Sequence, residues 1–430
     1  METKRTQEEL STSQESIHID AGPIDLGVLI RSRDRFIVMA DLSGVPDGRG
    51  VLQEQELILP DYRSSAYFAG AQRFGIDPER VTWPDGCNQL QPLVYERLAD
   101  LKEGGLMVLA ELSDGRCLCL LPIAGREAVS WFGSKPHDIT LRVGTLGDAM
   151  YQGHADLLAV AVAECPAAAA SNAWSIATRA PTVRGWLTLR QNKTFPRIFE
   201  RLGWCSWEAF RADIDEGKLR ETFRGIGRSD VPIKWAIIDD GWLDGLSTRH
   251  TDPRQCDDRA LLSFTSNPDR FPDGLSSLVD SMHRAGIEDA GLWLNFNGYW
   301  EGLHATHQIR ELDSHLFEVK PGVLLPRPSQ ESSRAFYDTM LLGARHAGFS
   351  FLKVDNQAKN LDFYASAVPN AAEASAENSA SLEAVSAAGF DAMINCMAHN
   401  NVCAFSTVWS AVTRCSEDYL KGDPWRAKMH

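Results

Sequence analysis

Two short runs place acidic side chains where chemistry is usually done: Phe351-Leu352-Lys353-Val354-Asp355 and Arg414-Cys415-Ser416-Glu417-Asp418. A third, Ile237-Ile238-Asp239-Asp240-Gly241-Trp242, has the same form, an apolar strand-like stretch that ends in carboxylates. A carboxylate at the carboxyl end of a buried strand sits at the mouth of a parallel sheet or barrel. Two such groups far apart in sequence can form the nucleophile and acid/base pair of a glycosidase. One occurrence reads equally well as an ion pair or a turn, whereas three are hard to reconcile with solvated surface.

Each run supports a distinct role. Asp355 at the end of its strand can lie beneath an anomeric carbon as nucleophile. Lys353, two residues earlier, shares its face, and its charge would keep Asp355 ionised. The plain alternative is a structural ion pair. Asp239 and Asp240 repel one another unless a ligand or cation takes up their acceptors, and Trp242 offers a flat face for a pyranose ring. The alternative there is an Asp-Gly turn. In the Arg414 run, Glu417 or Asp418 could be the general acid on spacing alone, against a weak surface pair. Trp204, Trp207, Trp235, Trp242, Trp293 and Trp300 crowd the second half of the chain, most as core and some, at strand ends, as sugar platforms. Gly225-Ile226-Gly227 lacks the third glycine of a dinucleotide fingerprint, and His304 with His307 makes a poor metal site, so no metal or cofactor is expected.

Two kinds of element must position these groups. From Asp25 to about Gly185, short runs such as Phe36-Ile37-Val38-Met39 and Cys117-Leu118-Cys119-Leu120-Leu121 alternate with turn residues, the pattern of a β-sandwich. Ala159 to Ala170 reads as an Ala-rich helix. Near Arg201 the pattern changes to alternating strands and helices, which predicts a parallel sheet or barrel. Six strand positions can be counted, at 202–207, 233–238, 290–295, 349–354, 393–397 and 411–414, joined by about five helical stretches. A (β/α)8 TIM-type barrel needs two more units, so the expected fold is a C-terminally incomplete barrel preceded by a β-sandwich domain. The expected division is a disordered tail over 1–20, a sandwich-like domain over 21–195 and the barrel over 196–430.

Composition narrows the partners. The 430 residues carry a formal net charge of −15, which disfavours nucleic acid and anionic membrane surfaces. Nine scattered cysteines, an odd number, read as free thiols of a reducing, cytoplasmic compartment. Residues 1–16 lack the apolar core of a secretory signal, and no run approaches a membrane span of about 20 residues.

At these same residues the sequence resembles the raffinose synthase and alkaline α-galactosidase (seed imbibition protein) group of glycoside hydrolase family 36. The segments that carry the resemblance are Leu202-Gly203-Trp204-Cys205-Ser206-Trp207-Glu208-Ala209-Phe210, Ile237 to Trp242, Gly298-Tyr299-Trp300, Phe351 to Asp355, Cys396-Met397-Ala398-His399-Asn400 and Arg414 to Tyr419, in family order. The resemblance implies Asp355 as nucleophile and Asp418 as acid/base. It implies Asp239 and Asp240 as the pair holding galactose hydroxyls, with Lys353 and Arg414 as further contacts and Trp204, Trp300 and Cys396 lining the pocket. It implies an α-galactoside donor, either a raffinose-family oligosaccharide or galactinol. With water as acceptor the chain is a retaining α-galactosidase, the expected reading; with sucrose it is a galactosyltransferase. A sugar-binding protein without chemistry is the reading of another class. The sequence departs from the plant enzymes at Glu417, where they have Asp, and at Glu301-Gly302, where they have two glycines.

Overall fold

A computed structural model describes residues 15–20, 22–69, 91–95, 97, 98, 101, 104–135, 138–245, 260–365, 367–415 and 418. Of the expected tail, residues 1–14 lie outside these and Ser16–His18 is a strand. The chain divides into two compact units. One collects Met1–Leu189, Leu361–Ala376 and His399–Val408; the other collects Arg190–Asn360, Glu377–Ala398 and Trp409–His430.

The first unit is built from β1 (Ser16–His18), β2 (Ile24–Asp25), β3 (Arg35–Gly44), β4 (Val51–Ile58), β5 (Tyr62–Ala69), β6 (Gln91–Tyr95), β7 (Met107–Leu112), β8 (Cys117–Pro122), β9 (Val129–Lys135), β10 (Asp138–Gly144) and β11 (Tyr151–Ala163). They form a seven-stranded sheet in the order β1-β3-β11-β8-β7-β5-β6 and a four-stranded sheet in the order β2-β4-β10-β9. Phe36, Val38, Leu118, Leu120 and Val160 from the larger sheet share one core with Leu57, Phe132, Ile139 and Leu141 from the smaller. The helix expected over Ala159–Ala170 is displaced. Leu157–Val162 is buried on both faces as the middle of β11, between β3 and β8, and the helix α1 (Pro166–Ala177) begins only at Pro166. Alternating Ala and Val suit a central strand flanked on both sides, and Pro at the first helical position fixes where the helix can start.

In the second unit all six strands expected from the alternation are present. They are β12 (Gly203–Cys205), β13 (Trp235–Ile238), β16 (Asp289–Asn295), β20 (Phe351–Asp355), β21 (Ala392–Asn395) and β22 (Val412–Thr413), paired in that order and parallel throughout. The helices α2 (Glu216–Arg228), α3 (Gly274–Arg284), α4 (Gln330–Ala347) and α5 (Ala371–Gly389) lie between successive strands. The first three present an apolar stripe at helical spacing, as Leu219 and Phe223 do on α2 and Phe336, Tyr337, Met340, Leu341 and Ala344 on α4, whereas α5 is Ala-rich and buries Ser375, Glu377, Asn378 and Glu383 beside Leu382 and Val385. Ser329 caps α4 by accepting from the Ser332 amide at 3.2 Å, and Gly348, left-handed at φ 89°, ends it.

The segment between Ile238 and α3 is partly structured. It contributes β14 (Leu243–Gly245) and β15 (Leu261–Ser266), which join β17 (Leu303–His304), β18 (Leu316–Lys320) and β19 (Val323–Pro326) in a separate five-stranded sheet ordered β14-β15-β17-β19-β18.

Candidate functional site

The residues singled out for chemistry that the structure describes lie mostly at or just beyond the carboxyl end of a parallel strand, with Trp300 in the loop after β16. Trp204 is in β12, Asp239 and Asp240 follow β13, Lys353 and Asp355 close β20, Cys396 follows β21, and Arg414 and Asp418 follow β22. Because the strands are parallel and paired in sequence order, their ends form one contiguous rim.

Asp355 is buried. Its Oδ1 accepts from the Asn356 amide at 2.7 Å and its Oδ2 from the indole Nε1 of Trp293 at 3.1 Å. Two fixed donors orient the carboxylate. The adjacent turn is sharp, with Asn356 left-handed at φ 60°, a conformation that Asn tolerates better than most residues.

Asp239 and Asp240 diverge. Asp239 Oδ2 accepts from Lys353 Nζ at 2.7 Å and from the Cys205 thiol at 3.1 Å, while its backbone amide donates to Ser206 Oγ at 2.8 Å. Asp240 accepts instead from the Tyr299 hydroxyl at 3.1 Å and the Trp300 indole at 2.8 Å. Their mutual repulsion is relieved by two separate donor sets, the four side-chain donors all coming from other strands and loops.

Lys353 is 7% exposed and Asp239 2%. Burial acts to lower the Lys353 pKa, but the neighbouring groups, Asp239 foremost, outweigh it and hold the ammonium above its ordinary range. Lys353 therefore stands as an ammonium against the Asp239 carboxyl group.

Asp418 receives the Trp207 indole at 2.7 Å and a bond from Arg414 Nη2, with Arg211 Nη1 at 3.6 Å. Burial alone would raise its carboxyl; the Arg414 charge and the bonds from Arg414 and Trp207 prevail and hold it below the ordinary carboxylate range. Arg414 also donates to Cys396 Sγ at 3.9 Å. Burial, then the charge of Asp355, pushes the Cys396 thiol up, so it is neutral beside both charged groups. Through Cys396 and Arg414 the surroundings of Asp355 and Asp418 meet.

Trp204 is half-buried, its ring edge-on to Phe210 and Phe223. Trp300 is half-buried and tilted against Trp293 at 6.0 Å. Trp242 is not a sugar platform: it is 3% exposed, packs in the core and donates its Nε1 to the Trp293 carbonyl at 2.8 Å. Glu417 lies outside the described residues. Sequence reasoning passed over Cys205, Trp207, Arg211, Trp293 and Tyr299 as individual partners. Trp293 stands opposite Lys353 in the β16–β20 register, so strand alignment was the signal that could have found it.

Among the described residues, no group of three or more His, Cys, Asp and Glu side chains could hold a metal ion. Likewise no helix there is long and apolar enough to cross a membrane. Seven described cysteines are free thiols.

A family model described as raffinose synthase or seed imbibition protein Sip1 matches residues 169–429. The probable galactinol–sucrose galactosyltransferase 6 of Arabidopsis thaliana is 22% identical over 268 residues, covering 56% of this chain and 36% of the relative. A probable α-galactosidase B of Neosartorya fischeri is 31% identical over 90 residues, covering 20% of this chain and 18% of the relative. The chain thus spans little more than a third of the first relative's length. Among solved structures, the GH36 α-galactosidase AgaA of Geobacillus stearothermophilus matches with a TM-score of 0.51 at 12% identity, covering 85% of this chain and 52% of that one. At that identity the likeness is one of fold.

Proposed function

The chain belongs to the family of raffinose synthase and seed imbibition protein Sip1, and from that premise we propose that it is a retaining α-galactoside-processing enzyme with water as its default acceptor. The observation that carries this reading is the rim itself. Two carboxylates, Asp355 and Asp418, each held by an indole N–H, share with a buried Asp239–Lys353 pair the carboxyl ends of parallel strands.

In this reading Asp355 attacks the anomeric carbon while Asp418 gives its proton to the departing oxygen, leaving a covalent galactosyl-enzyme. Asp418, now a carboxylate, takes a proton from the acceptor, whose oxygen displaces Asp355. Two inversions retain the anomeric configuration. Asp239, Asp240, Lys353 and Arg414 receive the galactose hydroxyls, and Trp204, Trp300 and Cys396 line the pocket. The donor is a raffinose-family oligosaccharide or galactinol. The names of the Arabidopsis relatives favour a second reading, transfer to sucrose, which shares the first half-reaction.

The same reading takes the six strands as part of a (β/α)8 barrel. Their order never reverses, whereas a doubly wound sheet reverses at a switch point. Right-handed crossovers that all step one way put every helix on one face and curl the sheet. The paired sheets of the first unit are then a β-sandwich, with the boundary near residue 195. Free thiols support a reducing, cytoplasmic setting.

The test is incubation with an activated α-galactoside, with and without sucrose, followed by sugar analysis. Free galactose supports the hydrolase and a trisaccharide the transferase. Asp355→Asn should lower turnover by about 10⁴-fold or more while galactose binding stays within a few-fold. Undiminished turnover in that variant would remove Asp355 from the mechanism. Galactose binding with no turnover in the unaltered protein would leave only the sugar-binding reading.

A further inference from the structure

We propose that Glu383 is the positioning residue that holds in register the strand leading to Arg414 and Asp418, acting through Ser410. The inference rests on the functional reading above and adds a residue to it.

Strand β22 cannot fix itself. It is two residues long and pairs with β21 only at Ile394↔Val412 and Asn395↔Thr413. A slip of one residue would carry Arg414, and Asp418 with it, off the rim. What precedes the strand is held far more firmly. Glu383 on α5 is 6% exposed. Its Oε2 accepts the backbone amides of Trp409 at 2.6 Å and Ser410 at 3.0 Å, and its Oε1 accepts the Ser410 hydroxyl. The Ser410 carbonyl accepts from Lys193 Nζ at 2.7 Å. One residue, Ser410, is therefore gripped by a carboxylate at its amide and hydroxyl and by an ammonium at its carbonyl. A buried carboxylate is costly unless such donors surround it, and charge-assisted bonds of this kind are the strong ones.

The grip extends to the nucleophile. Asn395 donates Nδ2 to Ser410 Oγ at 2.8 Å and accepts from Gln357 Nε2 at 2.8 Å. Gln357 also donates to the Val354 carbonyl at 3.0 Å, one residue before Asp355, and the Asn395 carbonyl accepts the Arg414 amide at 2.8 Å. Glu383 touches neither carboxylate. It sets the acid/base strand against the nucleophile strand through Ser410 and Asn395.

A positioning role differs from a merely structural one in its dependence on the leaving group. Loss of aligned acid catalysis harms donors whose leaving oxygen needs a proton and largely spares those that leave unaided. The experiment measures kcat/KM for raffinose and for p-nitrophenyl α-galactoside in the unaltered protein, Asp418→Ala, Glu383→Gln and Ser410→Ala. Galactose affinity and thermal melting are followed alongside. Glu383→Gln is expected to lower the raffinose value about tenfold or more beyond the aryl value, with galactose affinity within about twofold. Ser410→Ala should shift the ratio in the same direction by less. Equal losses on both donors in Glu383→Gln, or in Ser410→Ala if the first variant does not fold, overturn the proposal. An Asp418→Ala protein whose donor ratio is unchanged instead overturns the functional reading, and the role of Glu383 falls with it.

Discussion

Asp239 and Lys353 form the most buried ion pair of the rim, and removing one partner exposes what it does. Lys353→Met keeps the length of the side chain but leaves Asp239 with the Cys205 thiol in place of an ammonium. The expected loss of stability is about 3–5 kcal/mol, read by denaturant unfolding at pH 7; a loss below about 1 kcal/mol would contradict the pairing. Asp418 supplies a pH signature. Its folded pKa lies below the unfolded value of about 3.9, so the stability it contributes is present above that value and is lost as pH falls through the folded one. For catalysis the same depression means that the proton-bearing form is scarce at neutral pH. Arg414→Met removes the strongest charge holding the pKa down, so the basic limb of kcat/KM should move to higher pH even as the absolute rate falls. An unmoved limb would detach it from Asp418. At this scale the sequence revealed the acidic groups because each ends an apolar run. It hid their partners: Trp293, Cys205 and Tyr299 look like ordinary core residues, and only strand register and loop placement turn their polar atoms toward a carboxylate.

The strands that present these groups depend on close approach. Gly291 in β16 faces the Phe351 ring of β20, and a β-carbon there would clash with it. Gly291→Ala should cost about 1–3 kcal/mol through overpacking, and because β20 carries Lys353 and Asp355 it should also depress turnover. Full stability in the variant would show that the ring has room to move. The parallel strands and long helices were legible in the sequence because period and length agree, as in α4. The five-stranded insertion was not, since β14 and β17 span three and two residues and give no period to detect. The Ala-rich end of β11 was misread for the opposite reason: composition favoured a helix, while burial between two neighbours imposed a strand.

Over the whole molecule the two units are threaded through one another in sequence. The first needs Leu361–Ala376 and His399–Val408 besides its long N-terminal stretch, and the second resumes at Glu377 and again at Trp409. A chain ending at Leu189 should therefore lack segments of its own unit and melt without a cooperative transition in calorimetry. A sharp, reversible endotherm from residues 1–189 alone would show that those segments are dispensable. The threading also sets a timetable during synthesis. At about 5–20 residues per second, Val408 leaves the ribosome roughly 10–40 s after Leu189. For that interval the first unit waits, its sheets already made but its later segments missing, while the nucleophile strand is translated between its parts, a period in which a nascent-chain chaperone has the most to protect.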